Sequence, residues 1–399
     1  MGKKKEPFPK AVRIMAWVSF WADVASEMVY PVIPLFIVGT LKAPAMVLGA
    51  QEGIAGILLN LVRGWSGELS DRLGKRVPFV QAGYALTCFS KPVTALAATW
   101  PMASAARLAD RFGKGLRNTS RDALLADAID KKDAGRAFGY HRAMDAAGAV
   151  VGSMIGFGLL TAFPERYRLI FAITAIPGFI AVGLTFLLKE SRPPNPEPVT
   201  KSETKAKGPP VPLSPMFKKV LTVSLIFGLA NSSDTFLLLR ARELGLSDAM
   251  VVLAYALFNL VYSTSAYPLG NWSDKVGRRN ILFIGWAVYA ATYFGFAWTR
   301  AWGIWPLMAL YGLYNGACDG TSKAWVKDVS HVENRGRAMG VYAMGTGFAG
   351  LAASLGAGLL WDKVDHQSPF LVGGCLAVLA LAGLALTPTH TSTGPATAS

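Results

Sequence analysis

The chain has 399 residues, 52% of them hydrophobic and only 16% charged, with a net charge of +15. A soluble domain is nearer a quarter charged, so this balance excludes an ordinary water-soluble protein and points to the bilayer. The excess Lys and Arg gathers in short loops between apolar runs, which is positive-inside patterning; no nucleic-acid partner is expected.

The opening "MGKKKEPFPKAVR" is basic and leads into a long apolar segment that contains acids. No small-residue cleavage site follows, so the segment reads as a retained first spanning helix and not as a cleaved signal. A helix needs about 20 apolar residues to cross a ~30 Å hydrocarbon layer. By that measure twelve spans are expected, near 12–38, 46–67, 77–98, 101–121, 136–162, 168–188, 219–240, 249–270, 280–299, 302–325, 337–360 and 368–387. Lys and Arg crowd the N-terminus and the loops after helices 2, 4, 6, 8 and 10. Few lie in the opposite loops, among them Lys42, Arg166, Arg168, Arg300 and Lys363. Both termini are therefore expected in the cytoplasm. Residues 190–215 are rich in Pro, Lys and Ser and poor in large apolar residues, the composition of a flexible linker. The expected division is an N-terminal six-helix bundle over 1–189, a cytoplasmic linker over 190–215 and a C-terminal six-helix bundle over 216–399. Cys88, Cys318 and Cys375 have neither disulfide nor zinc spacing.

Ionisable residues inside membrane helices are expensive and normally face a cavity or a partner. Asp23 and Glu27 lie one turn apart on helix 1. They are either a proton-coupling pair or a salt bridge to a helix 4 cation. Glu52 on helix 2 lines an outer vestibule or is a wet helix end. Helix 4 carries Arg107, Arg111, Lys114, Arg117 and Arg121 on roughly one stripe. Arg111, near mid-depth, should pair with Asp23, Glu27 or Asp145, or with a bound anion. Arg117 and Arg121 are expected to snorkel to the inner face. Lys91 has no obvious partner. On helix 5, His141 reads as a polar filler and Asp145 as a cavity residue. The second half is leaner, with Asn231 where Asp23 stands in the first, and Asp234 as its cavity acid. Tyr255, Phe258, Tyr262, Tyr311 and Tyr314 fit either core packing or stacking on an organic solute.

The halves also repeat each other. "GELSDRLGKR" at 67–76 returns as "GNWSDKVGRR" at 270–279, an offset of 203. "GRAFGY" at 135–140 returns as "GRAMGV" at 336–341, and "WADVASE" at 21–27 faces "LANSSDT" at 229–235. Ordered landmarks at similar offsets indicate duplication, with parallel repeats about an axis along the membrane normal. In each half the charged tract is placed in the turn after the second helix. There Gly67 would permit close helix approach, Gly74 a tight turn, and Asp71 would accept backbone hydrogen bonds at a helix N-terminus.

G-x-x-x-D-R-x-G-K-R and G-x-x-x-D-K-x-G-R-R resemble the signature loop of the major facilitator superfamily, complete in both halves. The resemblance covers essentially the whole chain. It implies an all-α membrane protein of twelve helices, as two six-helix bundles related by a pseudo-two-fold along the membrane normal. It further implies a cytoplasmic latch built from Gly67, Asp71, Arg72, Gly74 and Arg76, with Gly270, Asp274, Lys275 and Gly277 as the mirror copy. "RFGKG" resembles the helix 4 Arg-x-x-Gln-Gly element of proton-coupled antiporters in Arg111 and Gly115, with Lys114 in place of Gln. "GAVVGSMIG" resembles their helix 5 element in Gly148, Gly152 and Gly156, with Ser153 in place of Pro. "SFWADVASEMVYP" and "GKGLRNTSRDALLAD" look similar to a prokaryotic branch of mostly unassigned substrate.

The expected activity is secondary active transport of a small organic solute, as proton-coupled export. The alternative is an organic-anion or phosphate-ester exchanger, which the helix 4 arginines favour. An intramembrane enzyme lacks its motifs here: there is no G-x-G-D, H-E-x-x-H or G-x-S-x-G. No nucleotide loop or metal cluster is evident, so no cofactor is expected. The partners are a solute, protons and the bilayer, and the protein is expected to be a monomer in a prokaryotic plasma membrane.

Overall fold

A computed structural model describes residues 8–129, 134–190, 212–331 and 334–387. Twelve helical spans appear in chain order. They are α1 (Lys10–Thr40), α2 (Ala45–Leu73), α3 (Val77–Leu96), α4 (Trp100–Asp127), α5 (Ala134–Ala162) and α6 (Tyr167–Thr185), then α7 (Pro215–Glu243), α8 (Asp248–Val276), α9 (Arg278–Trp298), α10 (Ile304–Asp328), α11 (Arg335–Lys363) and α12 (Ser368–Ala385). A helix satisfies its own backbone, which is what hydrocarbon demands of a spanning segment. Most of the linker read at 190–215 lies outside the described residues.

Several helices outrun their apolar stretch. α2 has 29 residues and is ~44 Å long at 1.5 Å per residue. That is longer than a ~30 Å hydrocarbon layer requires. The charged tract from Gly67 to Arg72 is thus helical, not a turn; the turn is Gly74, with φ +60°. The same holds in the second half, where α8 runs on to Val276 and Gly277 turns with φ +93°.

Each half packs on itself, and the two halves meet through α2 against α11 and α5 against α8. Exchanging the halves exchanges these two interfaces, as the pseudo-two-fold requires. Within the first half the glycines of α5 lie directly on α1. A Cβ on Gly152 would stand 2.5 Å from the Val24 carbonyl oxygen, and one on Gly156 2.9 Å from that of Met28. Small residues at spacing four let two backbones touch, which in lipid is a main source of helix association.

Contact between the halves is concentrated at the end remote from the termini. The Asp362 carboxylate at the end of α11 accepts from the Ala45 and Met46 amides at the start of α2, both at 2.9 Å. It thereby satisfies orphan donors at a helix N-terminus, where the dipole also favours an anion. Nearby, Tyr167 donates to Asp248 at 2.5 Å, and Arg242 bridges Asp248 to Glu165. Nearer the termini lie a central cavity walled by the second half and a cleft shared by both halves.

Candidate functional site

Both leading helices of the repeats are broken near mid-span. α1 is regular to Glu27, loosens over Met28–Pro31 and resumes as a short turn and a π-helix. Pro31 and Pro34 remove amide donors there. α7 stops at Ala230, runs irregularly through "NSSD" and restarts at Thr235. The freed Ala230 carbonyl accepts from the Tyr289 hydroxyl at 2.7 Å. Broken helices of this kind put polar backbone and side chains where a transporter's solute sits, near the midplane.

Around the α7 break lies a cavity of ≈550 Å³ whose walls include Asn231, Asp234, Phe258, Tyr262, Trp286 and Tyr314. A cleft of ≈280 Å³ shares Asn231 and Asp234 and reaches across to Tyr30 and Glu52 of the first half. Asp234 accepts from Tyr311 at 2.6 Å and makes no ion pair among the described residues. Of the aromatic set, Tyr255 and Tyr311 are core residues, whereas Phe258, Tyr262 and Tyr314 face the cavity as well. Tyr30 was not singled out in the sequence. Its ring packs at a tilt against Tyr255, centroids 5.1 Å apart, and lies under the Arg107 guanidinium at 5.3 Å.

The first half sorts its buried charges into two groups. In one, every acid is tied. Glu52 receives Arg107 through two hydrogen bonds, at 2.8 and 3.1 Å, and Arg111 lies 3.7 Å away. Glu52 is therefore not a wet helix end, since its side chain is 7% exposed. Asp110 gathers Arg107 at 3.5 Å, Lys91 at 3.7 Å and Lys114 at 3.8 Å. Lys91 thus has its partner, and Arg111 pairs with Glu52 and not with Asp23, Glu27 or Asp145. These contacts were hidden because they depend on how α2, α3 and α4 are rotated against one another.

In the second group the acids are loose. Asp23 and Glu27 make no ion pair among the described residues. The charges acting most on Asp23 are Asp145, Arg117, Lys114 and Arg121. Asp145 has the His141 ring at 3.5 Å, the outer reach of Arg142 at 3.8 Å and the Ser19 hydroxyl. Glu27 Oε2, Asp145 Oδ1 and the Arg117 Nε and Nη1 are buried without hydrogen-bond partners. Arg117 does not snorkel: it is buried and stacks on Tyr84, 4.0 Å from the ring centroid. His141 hydrogen-bonds Ser19 at 2.8 Å, as a polar filler would. Arg121 leans toward water only as far as Asp122, at 2.8 Å.

The signature tract is self-contained in each half. Gly67 does mark close approach, since a Cβ there would stand 2.8 Å from Thr119 Cγ2 of α4. Asp71 binds Arg76 at 3.4 Å instead of helix amides, and Arg76 also binds Asp127 at 2.9 Å. The amides of Arg76 and Val77 are instead capped by Glu190, both at 2.8 Å. Arg72 turns back to Glu68 in the same helix. In the second half Arg278 joins Asp274 to Asp328, the latter at 3.3 Å, with Gly270 and Lys275 on the same helix end. Asp127 and Asp328 close the two copies alike. Sequence reasoning passed over them, although "LLAD" and "WVKD" end equivalent helices.

A family model of the Major Facilitator Superfamily matches residues 15–240 and 234–398. The chain is 33% identical over 381 residues to an uncharacterised MFS-type transporter of Methanocaldococcus jannaschii, covering 93% of each. It is 24% identical over 340 residues to the multidrug resistance protein MdtH of Cronobacter sakazakii, covering 84% of this chain and 82% of the relative. Among solved structures, the nucleoside transporter NupG superposes with a TM-score of 0.80 at 13% identity. That match covers 95% of this chain and 100% of the other, a likeness of fold.

Proposed function

The chain belongs to the major facilitator superfamily, and from that premise we propose that it exports a small organic solute in exchange for protons. The solute occupies the cavity at the α7 break, against Asn231, Asp234, Tyr30 and Glu52. Protons are taken up and released by Asp23, Glu27 and Asp145. The carrying observation is the contrast among the buried acids. Glu52 and Asp110 are held by cations at short range, whereas Asp23 and Glu27 are enclosed with no ion pair among the described residues. An enclosed carboxylate without a counter-ion favours its neutral form, and two within one turn disfavour double ionisation. A proton can therefore be held there and given up when the surroundings change. The cations that bear on this group are Arg111, Lys114, Arg117 and Arg121 from α4 and Arg142 from α5.

The conformation fits an inward-facing state of alternating access, with both termini cytoplasmic. The Asp362 clamp and the Asp248 cluster close the outer end. The signature residues Gly67, Asp71, Arg72, Gly74 and Arg76, with Gly270, Asp274, Lys275 and Gly277, form a latch that engages when the inner end closes. Here it is unlatched, because its ion pairs stay within each half. The name of the MdtH relative supports export, and the bacterial and archaeal relatives support a prokaryotic plasma membrane. The alternative of an anion exchanger loses support, because the Arg107 fork is already occupied by Glu52, which also lies 3.7 Å from Arg111. In proteoliposomes, reversing the proton gradient should reverse the direction of solute accumulation. Counterflow indifferent to the gradient would refute proton exchange.

A further inference from the structure

The walls of the central cavity hold three acids, and only one of them is free. Asp319 is bound by Lys323 at 2.6 Å, and Glu52 by Arg107 at 2.8 Å. Among the described residues Asp234 has no cation, only the neutral Tyr311 hydroxyl at 2.6 Å. It stands at the break in α7, where the ≈550 Å³ cavity of the second half joins the cleft toward the first. Facing it across the larger cavity are the rings of Phe258, Tyr262, Trp286 and Tyr314. Trp286 is itself fixed by stacking on Phe227 at 4.4 Å. From these positions we infer that the ligand is an organic monocation with an apolar or aromatic body. Asp234 is its counter-ion, and the Trp286–Tyr314–Phe258 wall holds its body.

Each part of this class follows from the walls. An anion would meet one uncompensated negative charge, since Lys323 on the wall is paired with Asp319 and Arg107 with Glu52. A neutral solute would leave Asp234 without a counter-ion, so the carboxyl would have to hold a proton for as long as the solute is bound. A compact metal ion needs several oxygen ligands, whereas no group of three or more acids, His or Cys converges among the described residues. An organic cation answers both features at once. Its charge meets the carboxylate, and its body meets ring faces whose quadrupoles attract cations. The volume lies in the range of drug-sized ligand sites, about 300–1,000 Å³.

This inference rests on the transport reading, but binding and transport can be tested apart. The experiment is equilibrium binding of radiolabelled tetraphenylphosphonium to the full chain in nanodiscs, with the anion tetraphenylborate as a probe of the same shape. Saturable binding of the cation is expected, with none of the anion beyond lipid partition. Asp234→Asn should weaken cation binding at least ~10-fold, because one member of a desolvated charge pair is lost. Asp234→Glu should restore most of it, and Trp286→Ala should cost several-fold. Thermal melting of each variant checks that the fold survives. Equal affinity for both probes, or unchanged cation affinity in a folded Asp234→Asn, overturns the inference. Cation binding that needs Asp234, with no flux of the probe in liposomes, upholds the ligand class and refutes the transport reading. Proton-coupled flux of a neutral solute without cation binding does the reverse.

Discussion

The two halves share one helical plan yet bury opposite chemistries. The first half encloses Lys91, Arg107, Arg111, Lys114 and Arg117 with Asp23, Glu27, Glu52, Asp110 and Asp145. At the equivalent break the second half has Asn231 in place of Asp23, one free acid in Asp234, and a cluster of rings. Tyr289 stacks on Tyr293 at 4.1 Å, and Tyr311 lies 5.4 Å from Tyr314. Its buried cation Arg240 sits at the end remote from the termini, where it donates to the Phe296 and Ala297 carbonyls that end α9. Duplication thus supplied two scaffolds, and divergence gave them different buried chemistry. Charge exchange needs titratable groups close together in a low dielectric. Recognition of an organic body needs rigid apolar faces. One bundle that held both would let each solute disturb the proton site directly.

The largest effect should come from cutting the tied group. Arg107→Ala leaves Glu52 and Asp110 short of a cation in a buried site, which typically costs about 3–5 kcal/mol. The melting temperature in detergent should fall steeply, while Glu27→Gln, which removes a loose acid, should leave it nearly unchanged. Equal losses would erase the distinction between tied and loose acids. Next is the packing of the first half: Gly152→Leu puts a side chain where Val24 already stands. Overpacking of this kind costs about 1–3 kcal/mol, again read by melting. A comparable substitution at Gly350, where a Cβ meets nothing within 4 Å, should cost far less. In the second half, Tyr311→Phe removes the one hydroxyl on Asp234, worth about 1–3 kcal/mol when a buried carboxylate loses its donor. Cation binding should change in that variant, and first-half proton affinity should not. The smallest effect concerns the seam between halves. Asp362→Asn weakens a helix-terminal contact of roughly 0.3–1 kcal/mol. Spin-label distances across the outer end should shift modestly toward the open population, and unchanged distances would mean that the clamp does not hold the seam.

Much of the fold was legible because spanning helices advertise themselves by apolar length. The ends of α2 and α8 were not, because their last turns become polar while remaining helical. The repeat was legible in "GELSDRLGKR" and "GNWSDKVGRR", but the partner of Asp71 was not. The capping role expected of Asp71 falls to Glu190, 114 residues from Arg76. The loose acids could be picked out on α1 and α5 from their depth alone. The bond between Glu52 and Arg107 could not, since spacing within a helix says nothing about which face meets a neighbour. Tyr30 escaped notice because an aromatic residue in a membrane helix is ordinary until its neighbours are known. The α7 break had a signal in "NSSD", a run of turn-forming residues inside an apolar helix.

The central claim is that the first half couples the solute to protons through Asp23. The most direct measurement is solute-dependent proton movement in proteoliposomes holding wild type or Asp23→Asn, beginning with tetraphenylphosphonium and extending to a panel of organic cations. The expected result is a proton flux that follows solute addition in wild type and vanishes in the variant, while binding of the solute persists. Solute flux with no proton movement in either protein, or identical proton flux in both, would contradict it.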